Sequence, residues 1–258
     1  MGESSILTLA DAAQEMGVHY QTAYRWVRKG VLAAHKRAGM YGIERSDLDR
    51  VRRWRSAPQL PPQRRQIRSW GRLCDRLCRA LVAGEDTKAE HLFQDLVNAG
   101  VHWTDICDRL MAPALRTIGE AWCRGDLEIA QERRATSICA RILARWAPAR
   151  AGRPRGIAVV CSPPSDQHQL PGQMAAAVLR DHRWRVHHLG VAVPADSICA
   201  LVEAEAPQLV VISMAWEPAL PEAESLVERL RGITPSVLLG RPGSMTAELV
   251  RRAQGCAS

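Results

Sequence analysis

The stretch that most constrains the fold runs from residue 156 to residue 180. Gly156-Ile-Ala-Val-Val160 is a short, β-branched apolar run, long enough for a buried strand and too short for a helix. Gln173-Met-Ala-Ala-Ala-Val-Leu-Arg180 reads as a helix with a small-residue face, and between the two lies a polar loop, Cys161-Ser-Pro-Pro-Ser-Asp-Gln-His-Gln-Leu-Pro-Gly172. The order then recurs. Strands are predicted near 156–161, 185–189, 208–213 and 236–240, with helices near 172–182, 195–204, 218–231 and 245–253. Such alternation calls for a parallel sheet with right-handed crossovers. Ligands of open α/β sheets bind outside the carboxyl ends of the strands, which is where the 161–172 loop must lie. It carries Asp166 and His168 two residues apart. A carboxylate that holds one imidazole nitrogen leaves the other for a metal; a surface histidine in a polar loop is the plainer alternative.

The amino-terminal quarter has another character. Residues 1–70 hold thirteen Lys and Arg against six Asp and Glu, so nearly all of the net charge of +8 sits there. A concentrated basic module suits contact with nucleic-acid phosphates, provided that a recognition element lies within it. Thr8 is placed to cap a helix over Leu9–Met16, Gly17 stops it, and Gln21–Arg28 forms a second, basic helix closed by Lys29-Gly30. Helix, glycine turn and basic helix make a helix-turn-helix signature. Ala12, Ala13, Val18, Ala23 and Val27 would pack inside. Gln21, Thr22, Tyr24, Arg25, Arg28 and Lys29 would face DNA. Leu32 to Arg45 reads as a two-stranded wing around Ala38-Gly39, which would add Lys36, Arg37 and Tyr41, and a capped basic helix follows over Ser46–Trp54. A small helical module that contacts protein is the alternative.

Two proline-rich segments, Ser56–Gln63 and Ala147–Pro154, divide the chain, because proline cannot continue a helix and stiffens a linker. The boundaries expected are 1–56, 64–147 and 154–258. In the middle segment Ile67, Trp70, Cys74, Leu77 and Leu81 recur at helical spacing and Gly84 ends that stripe. Ala89–Val97 marks a second helix, Thr104–Trp122 a third with a bend at Pro113, and Glu128–Trp146 a fourth. Four helices with short joints make a bundle.

Three motifs carry a resemblance. The Asp166-x-His168 loop is similar to the Asp-x-His-x-x-Gly loop of cobalamin-binding domains, whose later marks are Ser-x-Leu after the third strand and Gly-Gly after the fourth. Ser213-Met-Ala215 and Gly240-Arg241 stand at those places. Pro171 replaces the first glycine, with Gly172 one later; Ala215 replaces Leu, and Arg241 the second Gly. Pro113 to Glu132 resembles the bundle that caps cobalamin in methionine synthase and in CarH-type photoreceptor repressors. Trp122 and Glu132 keep the CarH-type spacing, whereas Cys123 and Arg133 stand where those proteins have histidines. The amino-terminal segment resembles the winged helix of MerR-type and excisionase-type regulators.

The resemblance implies a multidomain α and α/β chain: winged helix, four-helix bundle, and a Rossmann-like (flavodoxin-like) cobalamin domain lacking its last strand–helix unit. It implies a non-enzymatic transcriptional repressor that binds adenosylcobalamin and responds to light, assembles as a dimer or tetramer and binds duplex operator DNA. Trp122, Cys123, Glu132, Asp166, His168, Gly172, Ser213 and Gly240 would contact the cofactor. His168 would be the lower cobalt ligand, oriented by Asp166 and Ser213. On the upper face, a Cys123 thiolate favoured by Arg124 or Arg133 competes with water. A corrinoid methyl carrier shares the bundle and the loop, and a haem-binding or cofactor-free redox regulator is the other rival; a methyl carrier has no use for the basic helix-turn-helix. Eight cysteines without a Cys-x-x-Cys pair argue for reduced thiols. No apolar run nears the roughly 20 residues of a membrane span, and no signal segment opens the chain, so a cytoplasmic protein is expected.

Overall fold

The computed structural model describes residues 6–28, 32–37, 40–56, 69–146 and 152–256. The chain forms two compact units divided between residues 63 and 64. In the first, Thr8 ends strand β1 (Ile6–Thr8) and caps helix α1 (Leu9–Glu15). Its hydroxyl accepts the Asp11 amide at 3.2 Å while the Asp11 carboxylate accepts the Thr8 amide at 3.3 Å, a capping box. Gly17, at φ +63°, makes the turn that glycine tolerates, and α2 (Tyr20–Arg28) follows. The wing is β2 (His35–Arg37) and β3 (Met40–Glu44), ahead of α3 (Arg45–Ser56).

The sheet departs from the two-stranded expectation. β1 joins it antiparallel to β3, giving the order β1-β3-β2. Three residues are too few to show a strand period, so β1 becomes a strand only through the edge that β3 offers. Gly42 permits the approach: a Cβ there would come within 2.9 Å of Ile6 Cγ2. Leu9, Ala12, Ala13, Ala23, Ile43, Leu48 and Val51 form the core, with Val18 and Val27 partly buried against it.

The second unit opens with the bundle: α4 (Trp70–Ala83), α5 (Asp86–Asn98), α6 (Trp103–Ile106), α7 (Ala112–Cys123) and α8 (Ile129–Trp146). Gly84 ends α4 in the left-handed region, as its sequence position suggests. Ile67, read into the α4 stripe, lies outside the described residues. The expected bend at Pro113 is instead a π-helical turn, Cys107–Met111, joining α6 to α7 in one run. Proline lacks the N–H of the α ladder and its ring crowds the carbonyl four residues back, and the wider turn just upstream absorbs both.

The α/β part comprises β4 (Ile157–Cys161), α9 (Gln169–Asp181), β5 (Arg185–His188), α10 (Ala195–Glu205), β6 (Leu209–Ser213), α11 (Leu220–Arg231), β7 (Val237–Gly240) and α12 (Thr246–Gln254). Its sheet is parallel with order β5-β4-β6-β7, four strands among the described residues. α10 and α11 pack on one face through Ile198, Val202, Leu226 and Leu230. α9 and α12 pack on the other through Ala175, Ala176, Leu179 and Ala253.

Leu170, Met174, Ala177 and Val178, on the opposite side of α9, enter the core of the bundle. A helix covered on both sides needs small apolar residues all round, which is what 174–179 supplies. The same double burial gives the bundle a fixed seat on the α/β layer. At the transfer value of about 25 cal/mol per Å² of apolar surface, each fully buried Met, Leu or Val on α9 contributes about 1.5–3 kcal/mol.

Candidate functional site

β4 leads to β5 on one side of the sheet, and β6 to β7 on the other. The crevice between the carboxyl ends of β4 and β6 is therefore the topological switch point, the ligand-binding position of such sheets. Asp166 bridges it. Its side chain is fully buried, Oδ1 accepts the His168 amide at 2.9 Å and lies 2.7 Å from His168 Nδ1. Oδ2 accepts the amides of Ala215 at 2.6 Å and Trp216 at 3.0 Å, from the loop after β6. Burial alone would raise the Asp166 pKa. The amides of Ala215, His168 and Trp216 and the His168 ring outweigh it and hold the carboxyl below its ordinary value.

An ionised Asp166 has only acceptor atoms, so the proton between the two side chains sits on His168 Nδ1. In the neutral imidazole Nε2 then carries the lone pair, and the side chain is 54% exposed. The polypeptide spends four hydrogen bonds to present one imidazole nitrogen to solvent. The upstream side of the loop is tied as well: Glu222 of α11 accepts the Ser165 amide at 2.9 Å and the Ser165 hydroxyl.

Two expectations change here. Gly172 lies inside α9, which begins directly after His168, because Pro171 is acceptable in a first helical turn. Ser213 does not orient His168: the backbone of Ala215 and Trp216 does so through Asp166, and Ser213 lines a neighbouring cleft. That cleft, of about 150 Å³, lies between Pro171 and Ala175 of α9, Ser213, Gly240, and Met245 and Thr246 at the start of α12. The Thr246 hydroxyl is buried and without a hydrogen-bond partner among the described residues. A Cβ at Gly172 would lie 3.0 Å from His188 Nε2 and 3.8 Å from Ser213 Cβ, so glycine keeps this corner open. Burial, then the charge of Arg180, hold the His188 pKa below the ordinary imidazole value. His188, Trp216 and Thr246 were not legible as site residues. They come from three separate segments, and only the sheet brings their strand ends together.

At the end of α7, Trp122 is 43% exposed, as is Ile129 at the start of α8. Cys123 is exposed too, and both arginines expected to act on it are paired to carboxylates. Arg124 Nε pairs with Asp126 at 2.9 Å, and Arg133 Nε with Glu132 at 3.6 Å. Glu132 also accepts the Thr136 hydroxyl at 3.0 Å. All eight cysteines are free thiols, and burial pushes Cys139 and Cys161 up to about 12, which makes them inert packing groups.

In the winged unit, Gln21, Tyr24, Arg25 and Arg28 lie on the exposed side of α2, Thr22 is half-buried and Ala23 faces the core. Tyr24 and Tyr41 meet edge to face, centroids 6.1 Å apart, fastening α2 to the wing. Tyr20, exposed beside them, carries no mark in the sequence that sets it apart as a site residue. Lys29 lies outside the described residues. Of Lys36 and Arg37 only the strand is described, with Lys36 opposite Tyr41.

Residues 6–56 match a helix-turn-helix domain family, and residues 73–146 and 156–257 match two B12-binding domain families. The HTH-type transcriptional repressor CarH of Myxococcus xanthus is 33% identical over 129 residues, covering 50% of this chain and 43% of the repressor. The chain joins a helix-turn-helix match to two B12-binding matches. It spans less than half of that repressor's length in the match. The monomethylamine corrinoid protein of Methanosarcina barkeri has the same fold over 72% of this chain and 99% of its own, with a TM-score of 0.59 at 15% identity.

The residues at the switch point fit a corrinoid, in keeping with the two B12-binding matches. A metal that arrives in its own macrocycle needs one axial ligand from the protein, and His168 Nε2 is presented singly. Beside it are a corner that a methyl group would fill and the orphaned Thr246 hydroxyl in the adjoining cleft. No helix among the described residues is long and apolar enough to cross a membrane.

Proposed function

We propose that this CarH-like chain is a transcriptional repressor, not an enzyme, whose assembly and operator binding are controlled by adenosylcobalamin and by light. The observation that carries the reading is the Asp166–His168 pair, locked across the switch point in a chain that also bears a basic helix-turn-helix. When bound, the cofactor supplies a cobalt–carbon bond that light breaks. The protein's part is binding and readout. His168 Nε2 would supply the protein's ligand to cobalt, and Asp166 would keep the proton on Nδ1 so that Nε2 stays available. The cleft lined by Pro171, Ser213, Gly240 and Thr246 would hold the cofactor's nucleotide tail. Trp122 and Glu132 would contact the cofactor from the bundle. Gln21, Thr22, Tyr24, Arg25, Arg28 and the wing would contact the duplex. Bringing two or four such DNA modules together raises avidity by about 10²–10⁴ without any new interaction, so loss of assembly suffices to release the operator.

The shared fold of a corrinoid protein makes methyl carriage the competing reading, against which the amino-terminal module weighs. The test is dark titration of the full chain with adenosylcobalamin, followed by illumination, with absorbance, molecular mass and gel-shift affinity read on the same sample. Expected are a histidine-ligated spectrum that His168→Ala abolishes, and a light-induced fall in mass and DNA affinity. A bound cofactor that leaves mass and DNA affinity untouched in light and dark would sink the regulatory reading. No binding would sink the cofactor.

A further inference from the structure

The helix that forms one wall of the cleft is not capped by its own sequence. α12 starts at Thr246 after Met245, whose side chain offers no cap, and the hydroxyl of Ser244 is engaged with the Arg241 amide at 2.9 Å. The acceptors come from the bundle. Asp108, in the π-helical turn, takes the Thr246 amide on Oδ1 at 2.8 Å and the Ala247 amide on Oδ2 at 2.9 Å, across 138 residues of sequence. A carboxylate at that position satisfies two orphan donors and faces the positive end of the helix dipole.

The reverse link is also present. α6 begins after His102 with no side-chain cap of its own, and the α/β layer supplies one: Asp181 of α9 accepts the Trp103 amide at 3.2 Å. Bundle and α/β layer thus cap each other's helices within a six-residue stretch, Trp103 to Asp108. Thr246 belongs to both structures, giving its amide to Asp108 and lining the cleft, with its hydroxyl buried and unpartnered among the described residues. Met245, Leu249 and Arg252 line the same cleft from the same helix.

The geometry points to Asp108 as the positioning residue that makes the chain select corrinoids bearing a nucleotide tail, by fixing the α12 wall of the cleft from the bundle. It rests on the assignment of this cleft to the tail. Asp108 itself does not line the cleft. Its carboxylate holds the first turn of α12 in order before the ligand arrives, so that binding does not carry the cost of ordering that turn.

The experiment uses the full chain as wild type, Asp108→Ala and Asp108→Asn, titrated in the dark by absorbance with hydroxocobalamin and with cobinamide, which has the corrin but no nucleotide. Losing a helix cap of this kind should weaken hydroxocobalamin binding about tenfold in Asp108→Ala and cobinamide binding less than about twofold. The isosteric Asp108→Asn keeps one acceptor oxygen and should fall between; it also keeps the test open if alanine loosens the whole helix. Without any ligand, the Thr246 and Ala247 amides should exchange with solvent about tenfold faster in Asp108→Ala. Equal losses for the two corrinoids, no loss for either, or unchanged exchange would each overturn the inference while leaving the cofactor assignment standing. A wild type that binds neither corrinoid would remove both.

Discussion

Asp166→Ala is the most informative perturbation of the switch point, because its effect can be worked from four distances and read without cofactor. The buried carboxylate accepts from Ala215 N, Trp216 N, His168 N and His168 Nδ1 at 2.6, 3.0, 2.9 and 2.7 Å. Hydrogen bonds to a charged acceptor contribute about 1.5–3 kcal/mol each, and alanine removes all of them. His168 and Trp216 are exposed, so water takes over part of the loss on their side. For the amides of Ala215 and Trp216 a net destabilisation of about 2–3 kcal/mol remains, and protection from hydrogen exchange should fall roughly 30- to 150-fold. Asp166→Asn should give a smaller fall, since its amide can accept on one side only and meets a donor with a donor on the other. Exchange of the segment around residues 214–217, followed by mass spectrometry on the apo chain, is the assay. A drop of less than about threefold in the alanine variant would mean that something other than Asp166 holds this loop, and the account of His168's tautomer would go with it.

Three further outcomes are expected. Arg25→Ala with Arg28→Ala should weaken operator binding by about 1–3 kcal/mol for each bidentate pairing with a base edge that the substitutions remove; unchanged gel-shift affinity would take that role from α2. His188 has a folded pKa below its unfolded value near 6.5, so its contribution is complete above that pH and declines as pH falls through it toward the folded value. His188→Gln should therefore flatten the acid-side loss of thermal stability below about pH 6.5, and parallel curves for variant and wild type would exclude the histidine as its source. With Arg124 and Arg133 both paired to carboxylates, illumination of the loaded chain should give the same spectrum in wild type and Cys123→Ala, with water above cobalt. A spectral change on removing the sulfur would instead make Cys123 a ligand.

The sequence by itself determined the parts whose physics is local. Thr8 and Asp11 form their capping box within three residues, Gly17 and Gly84 take the left-handed turns, and the four segments expected as strands became parallel strands within a residue of their expected ends. The Asp166–His168 pair was legible for the same reason: two positions in one loop are close whatever the rest of the chain does. Cys123 and Arg133 were equally plain as departures from the CarH-type pattern, but not the state of the cation near the thiol, which depends on where Asp126 and Glu132 lie.

Tertiary structure alone decided everything that needs two distant segments to meet. β1 is a strand only because β3 has a free edge, and the π-helical turn replaces a simple proline bend inside a packed bundle. Ala215 and Trp216, not the Ser213 hydroxyl, orient Asp166, because backbone amides carry no mark in a sequence. His188 and Thr246 reach the site from separate strand ends. Asp108 and Asp181 read as ordinary acidic residues, yet each caps a helix of the other layer. A helix end must find its acceptors somewhere, and only the folded chain shows which carboxylate, up to 139 residues away, supplies them.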